Sequence, residues 1–84
     1  MLSEKIRFQP NVPAEIRSID QRTAMTILEA IHRYAETGVG GVRALSGKLD
    51  GLLRLRVGNH RGLFDESVDS ITIHRVANRR DVYR

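Results

Sequence analysis

The chain contains no cysteine. Disulfides and thiolate metal sites are therefore excluded, and a reducing, cytoplasmic location is expected. No apolar run approaches the roughly 20 residues that a membrane span needs, and the first residues lack the basic-then-apolar order of a signal peptide, so neither a membrane partner nor export is expected. Lysine is scarce: two of the fourteen basic residues are Lys and twelve are Arg. Acidic counter-charge is scarce where the arginines gather. Residues 1–41 carry five basic and five acidic groups, whereas residues 42–84 carry nine basic against five acidic, so the whole net charge of +4 lies in the second half. A one-sided, Arg-dominated excess points to a polyanion or an acidic partner, because guanidinium forks stay charged at physiological pH and donate paired hydrogen bonds to phosphate oxygens.

The familiar catalytic and ligand-binding signatures are missing as well. His32, His60 and His74 do not have metal-ligand spacing, so no metal site is expected. The Gly38-Val39-Gly40-Gly41 stretch follows a helical pattern rather than a strand and lacks a downstream Gly-Lys-Ser/Thr, which makes it a helix cap and loop rather than a phosphate loop. There is no Gly-x-Ser-x-Gly elbow, and no acidic pair has a spacing that argues for two-carboxylate chemistry. Eighty-four residues allow one domain, 1–84, whose modest core buries roughly 60–65% of the unfolded surface.

The pattern that is present begins with a short half-buried strand, Glu4 to Gln9, with Ile6 and Phe8 on one side; Pro10 ends it. Asn11 is placed to cap a short helix that tolerates Pro13 in its first turn and carries Val12, Ile16 and Ile19 at helical spacing. A second helix starts at Asp20, shows Ala24, Ile27, Leu28, Ile31 and Ala35 as a core-facing stripe, and stops at Gly38. Val39 to Gly51 reads as a connecting loop anchored by Val42 and Leu45. Three strands follow: Leu53–Val57, a Gly58-Asn59 hairpin turn, His60–Asp65, a turn around Val68 to Ser70, and Ile71–Val76. The fold class expected is α+β, with an N-terminal strand, two helices, then an antiparallel three-stranded meander, and the helices packed on one sheet face.

Alternation on the first meander strand puts Leu53, Leu55 and Val57 on one face and leaves Arg54 and Arg56 together on the other. Arg61 and Arg79 can join them around one surface that holds no acid from the first strand, and clustered like charges repel unless an anion is present. The tail, Ala77 to Arg84, adds Arg79, Arg80 and Arg84. Val82 and Tyr83 would be out of place in a solvated tail, so they are expected to dock on the sheet. That docking would carry the Tyr83 hydroxyl to the arginine face, where cations favour the phenolate and lower its pKa from about 10.

Taken in order, the stretches IRFQPNVPAEIRSID, ALSGKLDGLLRLRVGNHRGLF and RVANRRDVYR resemble the RelE/ParE superfamily of bacterial toxins from type II toxin-antitoxin pairs, most closely its RelE-like side. The resemblance covers most of the chain. It departs at His60, where an aromatic is common, at Gly62, where an aliphatic is usual, and at Ala77-Asn78, where Gly-His or Gly-Lys often stands. The fold it implies is a small sheet packed on two helices. The activity it implies is that of a ribosome-dependent endoribonuclease that cuts mRNA in the ribosomal A site with neither metal nor cofactor. The partners it implies are the ribosome with its mRNA, and a cognate antitoxin that neutralises the toxin in a hetero-oligomeric complex. By position, Arg61, Arg79 and Tyr83 match the catalytic set, while Arg54 and Arg56 match the basic pair of the first meander strand; Arg80 is grouped with that pair as a phosphate contact. In such chemistry a ribose 2′-hydroxyl attacks the adjacent phosphodiester. Tyr83 is the candidate base, the arginines steady the phosphorane, and Arg79, Arg61 and His60 stay open as the acid. Two alternatives accompany this reading: a ParE-like protein that inhibits DNA gyrase by protein contact, and a catalytically inactive relative that binds only an antitoxin or RNA.

Overall fold

In the computed structural model, which describes residues 5–83, the elements run β1 (Lys5–Phe8), α1 (Val12–Arg17), α2 (Gln21–Thr37), β2 (Gly41–Ala44), β3 (Leu53–Val57), β4 (His60–Glu66) and β5 (Ser70–Asn78). Glu4, at the start of the expected first strand, and Arg84, in the expected basic tail, lie outside the described residues. Among those residues no helix is long and apolar enough to cross a membrane.

The class is α+β, but the sheet is larger than expected. It has five strands in the order β1-β5-β4-β3-β2, and it is mixed, because β1 runs parallel to β5 while the other neighbours are antiparallel. The β3-β4-β5 meander is therefore its centre rather than the whole of it. The stretch read as a loop from Val39 to Gly51 contains β2, which pairs with β3 from Gly41↔Arg56 to Ala44↔Leu53, followed by a short 3-10 turn at Gly47–Leu49. Four residues that open on glycine and contain one large apolar side chain give too little alternation to read as a strand. Pairing with an already ordered β3 supplies what the local sequence lacks.

Helix α2 forms where its sequence directs. The Asp20 carboxylate accepts hydrogen bonds from the Thr23 hydroxyl and from the Thr23 backbone N–H at 3.2 Å. These two bonds hold its pKa below the ordinary carboxylate range. The stability that the Asp20 charge contributes is thus present above the ordinary value and lost as pH falls through the lowered one. At the other end Gly38 adopts φ 73°, and its N–H closes on the Tyr34 carbonyl at 2.8 Å, a left-handed cap that suits a residue without Cβ. Ala24, Ile27, Ile31 and Ala35 form the buried stripe between these ends.

That stripe packs on one sheet face. Ile27, Ile31 and Ala35 meet Leu55, Phe64, Ile71, Ile73 and Val76, with Val12 of α1 closing the layer. The Tyr34 ring stands edge-on to Phe64 at 5.3 Å between centroids, and its hydroxyl donates to Glu66 Oε1 at 2.8 Å. Each fully buried aliphatic of this kind stabilises by roughly 1.5–3 kcal/mol.

Helix α1 has a task that its sequence does not announce. β1 covers only the Ser70–Ile73 half of β5, and beyond it the side chains of α1 stand in for a strand. Asn11 occupies the helix N-cap position but makes no side-chain cap bond there, contrary to the expected capping role. Its amide donates instead to the His74 carbonyl and to Glu15 Oε2, both at 3.0 Å. Glu15 Oε1 accepts from the Val76 backbone N–H at 2.8 Å, and Oε2 lies 3.2 Å from Arg75 Nε. The backbone groups of β5 left open beyond the end of β1 are thereby satisfied by side chains.

Glu15→Ala should cost about 2 kcal/mol, because it leaves the Val76 N–H unpaired in a part-buried setting. Glu15→Gln, whose amide oxygen can still accept that bond, should cost less; urea unfolding of the two variants distinguishes them. Gly62 sits mid-strand in β4, between Leu55 and Val76, and a Cβ added there meets nothing closer than the Arg75 carbonyl oxygen at 4.0 Å. Gly62→Ala should therefore raise stability by about 0.4–1 kcal/mol through the unfolded chain's lost freedom. A fall in the unfolding midpoint would mean that the helix layer leaves no room.

Candidate nucleic-acid interface

The face turned away from the helices is built by strand alternation. Leu55 pairs with Gly62 on the core side, so Arg54 and Arg56 project to the opposite side together with Arg61, Leu63 and Asp65 of β4. Register then sets like charges directly across from one another. Arg43 of β2 faces Arg54, and Arg56 faces Arg61. Directly opposed side chains have Cβ atoms about 4.5–5.5 Å apart, and like charges at that separation are destabilising. Among the described residues no carboxylate pairs with any of these four arginines. Asp65, on the same face, is engaged with His74 Nε2 at 2.5 Å.

Arg61 is the fixed point of this surface. It is 8% exposed, the buried charged residue of the molecule among those described. One terminal nitrogen of its guanidinium donates to the Gly58 and His60 carbonyls, each at 2.8 Å. Both carbonyls belong to the β3–β4 hairpin, where Gly58 takes φ 59° and Asn59 does not have a positive φ, the sign pattern of a II′ turn. Burial pushes the Arg61 pKa below the ordinary guanidinium range. Repulsion from Arg54, Arg56 and Arg79 pushes the same way, and a Tyr83 phenolate opposes them. Arg54, Arg56, Arg79 and Tyr83 are thus all close enough to act on Arg61 electrostatically.

The terminal turn is fastened to this point. The Arg79 N–H donates to the Asn59 carbonyl at 2.8 Å, the Asp81 and Val82 N–H groups donate to the Asn78 carbonyl at 2.8 and 3.0 Å, and the Arg80 N–H donates to Asn78 Oδ1 at 3.0 Å. Val82 is buried to 2% exposure and lies outside the main core, as does Leu63 on the arginine face. Of the two tail residues expected to dock, Val82 does so, whereas Tyr83 stays exposed at 48% beside Arg61.

Five of the expected site residues, Arg54, Arg56, Arg61, Arg79 and Tyr83, are thus brought together. Arg80 is not: it is exposed and is not among the groups that act on Arg61. His60 is also elsewhere. It pairs across the sheet with Val57 and Asn78 on the helix side, and it lines a cleft of about 510 Å³ with Glu15, Asp20 and Asp81. That position removes it as a proton donor on the arginine face. Arg43 was missed because β2 was missed; its only sequence signal is the short run Val42-Arg43-Ala44.

No protein-family profile and no curated protein matches the sequence. Solved structures do. A chain of the toxin-antitoxin complex RelBE2 from Mycobacterium tuberculosis superposes with a TM-score of 0.84 at 20% identity, over 96% of this chain and 97% of that one. A chain of the RelB-RelE antitoxin-toxin complex from Methanococcus jannaschii gives 0.74 at 18% identity, over 92% and 94%. YoeB from the Staphylococcus aureus YoeB dimer gives 0.68 at 20% identity, over 84% and 91%. The chain has the fold found in these RelBE and YoeB structures.

Two opposed arginine pairs without a bound anion should weaken the folded protein. Arg56→Gln should therefore raise stability by about 0.2–1 kcal/mol, and added salt should raise the wild-type midpoint more than that of the variant, by screening. The strain comes from the charged form, so it persists across the physiological range and is relieved only as pH rises through the lowered Arg61 pKa. An unfolding midpoint lowered by Arg56→Gln would show that Arg56 has a favourable partner instead.

Proposed function

We propose that this chain is the toxin of a type II toxin-antitoxin pair, and that its basic face is the active site of a metal-independent endoribonuclease that cleaves mRNA on the ribosome in the cytoplasm. The observation that carries the reading is the placement of Arg61, buried, pinned by two carbonyls and ringed by Arg54, Arg56, Arg79 and Tyr83. The likeness of fold to RelBE and YoeB structures supports it. A cognate antitoxin is the expected partner, held in a hetero-oligomeric complex.

The chemistry follows from the arrangement. Tyr83 takes the proton of a ribose 2′-hydroxyl, whose oxygen then attacks the adjacent phosphorus. The negative charge of the phosphorane meets one donor already fixed in place, Arg61, so little reorganisation of that group is needed when the charge develops. The P–O5′ bond breaks, a 2′,3′-cyclic phosphate remains, and the departing oxygen takes a proton. Two candidates for that proton stay on the correct face, Arg61 and Arg79. Arg61 is the better donor of the two, because burial and three neighbouring cations lower its pKa.

Arg61→Ala and Tyr83→Phe should each slow single-turnover cleavage of ribosome-bound mRNA by about 100-fold or more, the usual loss when one oriented donor or the base is removed. Wild-type rates in both variants would take these residues out of the mechanism. Co-expression with the antitoxin should relieve the growth arrest caused by the wild-type chain, and neither variant should arrest growth.

A further inference from the structure

Residue spacing on the arginine face carries more than one phosphate contact. β3 presents Arg54 and Arg56 two residues apart, hence about 6.8 Å apart along the strand. Each belongs to a different cross-strand row: Arg56 pairs with Arg61, and Arg54 pairs with Arg43. The first row leads to the terminal turn with Arg79 and Tyr83, where the chemistry is placed. The second row leads to the β2 edge and meets the first at Arg54, which also acts on Arg61. A separation of this size is close to that of consecutive phosphates along a single strand.

The second row also looks unfinished. Arg54 is half-buried, and its Nε is buried without a hydrogen-bond partner. A guanidinium nitrogen in that state has lost water and gained nothing, which costs free energy until an acceptor arrives. Arg43, directly across from it, is exposed and unpaired among the described residues. An exposed arginine that merely aids solubility would gain from facing a carboxylate or solvent; this one faces another arginine. An anion between the two would satisfy the Arg54 donor and cancel the repulsion in one step.

We propose that Arg43 and Arg54 form a second phosphate subsite, which holds the phosphate next to the scissile one in single-stranded RNA while the Arg56–Arg61 row holds the scissile phosphate. This assignment rests on the endoribonuclease reading above. Its consequence is that the RNA crosses the sheet along β3, running from the terminal turn towards the β2 side. Arg43 is then a substrate-binding residue that touches no reacting atom, so its loss should fall on the half-saturating concentration more than on the rate at saturation.

The experiment pairs protein variants with neutralised linkages. Ribosomes are programmed with a synthetic mRNA that is cleaved at one position, carrying either native phosphodiesters or one uncharged methylphosphonate at the linkage just before or just after the cleaved bond. With native mRNA, Arg43→Gln should raise the half-saturating toxin concentration by about 10-fold, the scale of one charge-assisted hydrogen bond, and Arg43→Lys should restore part of the loss. One of the two methylphosphonates should impose a similar loss on the wild type and make Arg43→Gln silent. Losses that multiply with both methylphosphonates, or an unchanged half-saturating concentration in Arg43→Gln, would overturn the subsite while leaving the endoribonuclease reading intact. No cleavage of native mRNA by the wild type would instead overturn the reading beneath it, and the subsite with it. Since Arg43 lies exposed on an edge strand and faces a like charge, unfolding of the variant does not confound the comparison; an unfolding midpoint at or above that of the wild type is the check.

Discussion

The alternation of β3 is the constraint on which the rest depends. Five residues, Leu53 to Val57, send their apolar members into the helix layer and their two arginines to the other side. A slip of one residue would bury both guanidinium groups and expose the leucines, a cost of many kcal/mol with no compensation. The core therefore fixes the arginine face as firmly as it fixes itself. Arg43 and Arg61 face their partners because register across β2, β3 and β4 is held by Val42, Leu55 and Phe64 on the far side.

A second dependence runs through the Gly58-Asn59 turn. Its three consecutive carbonyls, on Gly58, Asn59 and His60, accept from the Arg61 guanidinium and from the Arg79 N–H. One tight turn thus orients the buried arginine and anchors the start of the terminal segment that carries Tyr83. The turn is a piece of the site although none of its own side chains lies on the arginine face. Asn78 does the same for the end of the segment, since its carbonyl and its amide oxygen gather the N–H groups of Arg80, Asp81 and Val82.

The parts that were legible in the sequence are those with strong local patterns. The α2 stripe, its Asp20 and Gly38 ends, the hairpin at Gly58-Asn59 and the Arg54/Arg56 face all follow from spacing and turn chemistry. What was not legible depends on long-range pairing. β2 has one large apolar residue and becomes a strand because β3 offers it a ladder. β1 lies parallel to β5 although its first aligned pair, Lys5 and Ser70, is 65 positions apart (70 − 5), and no periodicity encodes such a partnership. The Asn11 side chain followed the same logic, leaving its cap for a carbonyl on β5. His60 was misjudged as a possible acid because chain proximity to Arg61 says nothing about face: adjacent residues of a strand point to opposite sides.

The five gathered side chains differ in how firmly the fold holds them. Arg61 is buried and held by two carbonyls, so on the proposed reading its orientation is settled before RNA arrives and little entropy remains to be lost on binding. Arg56 and Arg79 are exposed, so on the proposed reading the RNA itself orders them. A fixed donor suits the phosphorus whose charge changes during reaction, because preorganisation acts there on the transition state. Exposed donors add binding and steering instead. On the proposed endoribonuclease reading, the scissile phosphate sits beside Arg61 and Tyr83, with the exposed Arg56 and Arg79 steering it there, and the flanking backbone meets Arg54 and Arg43.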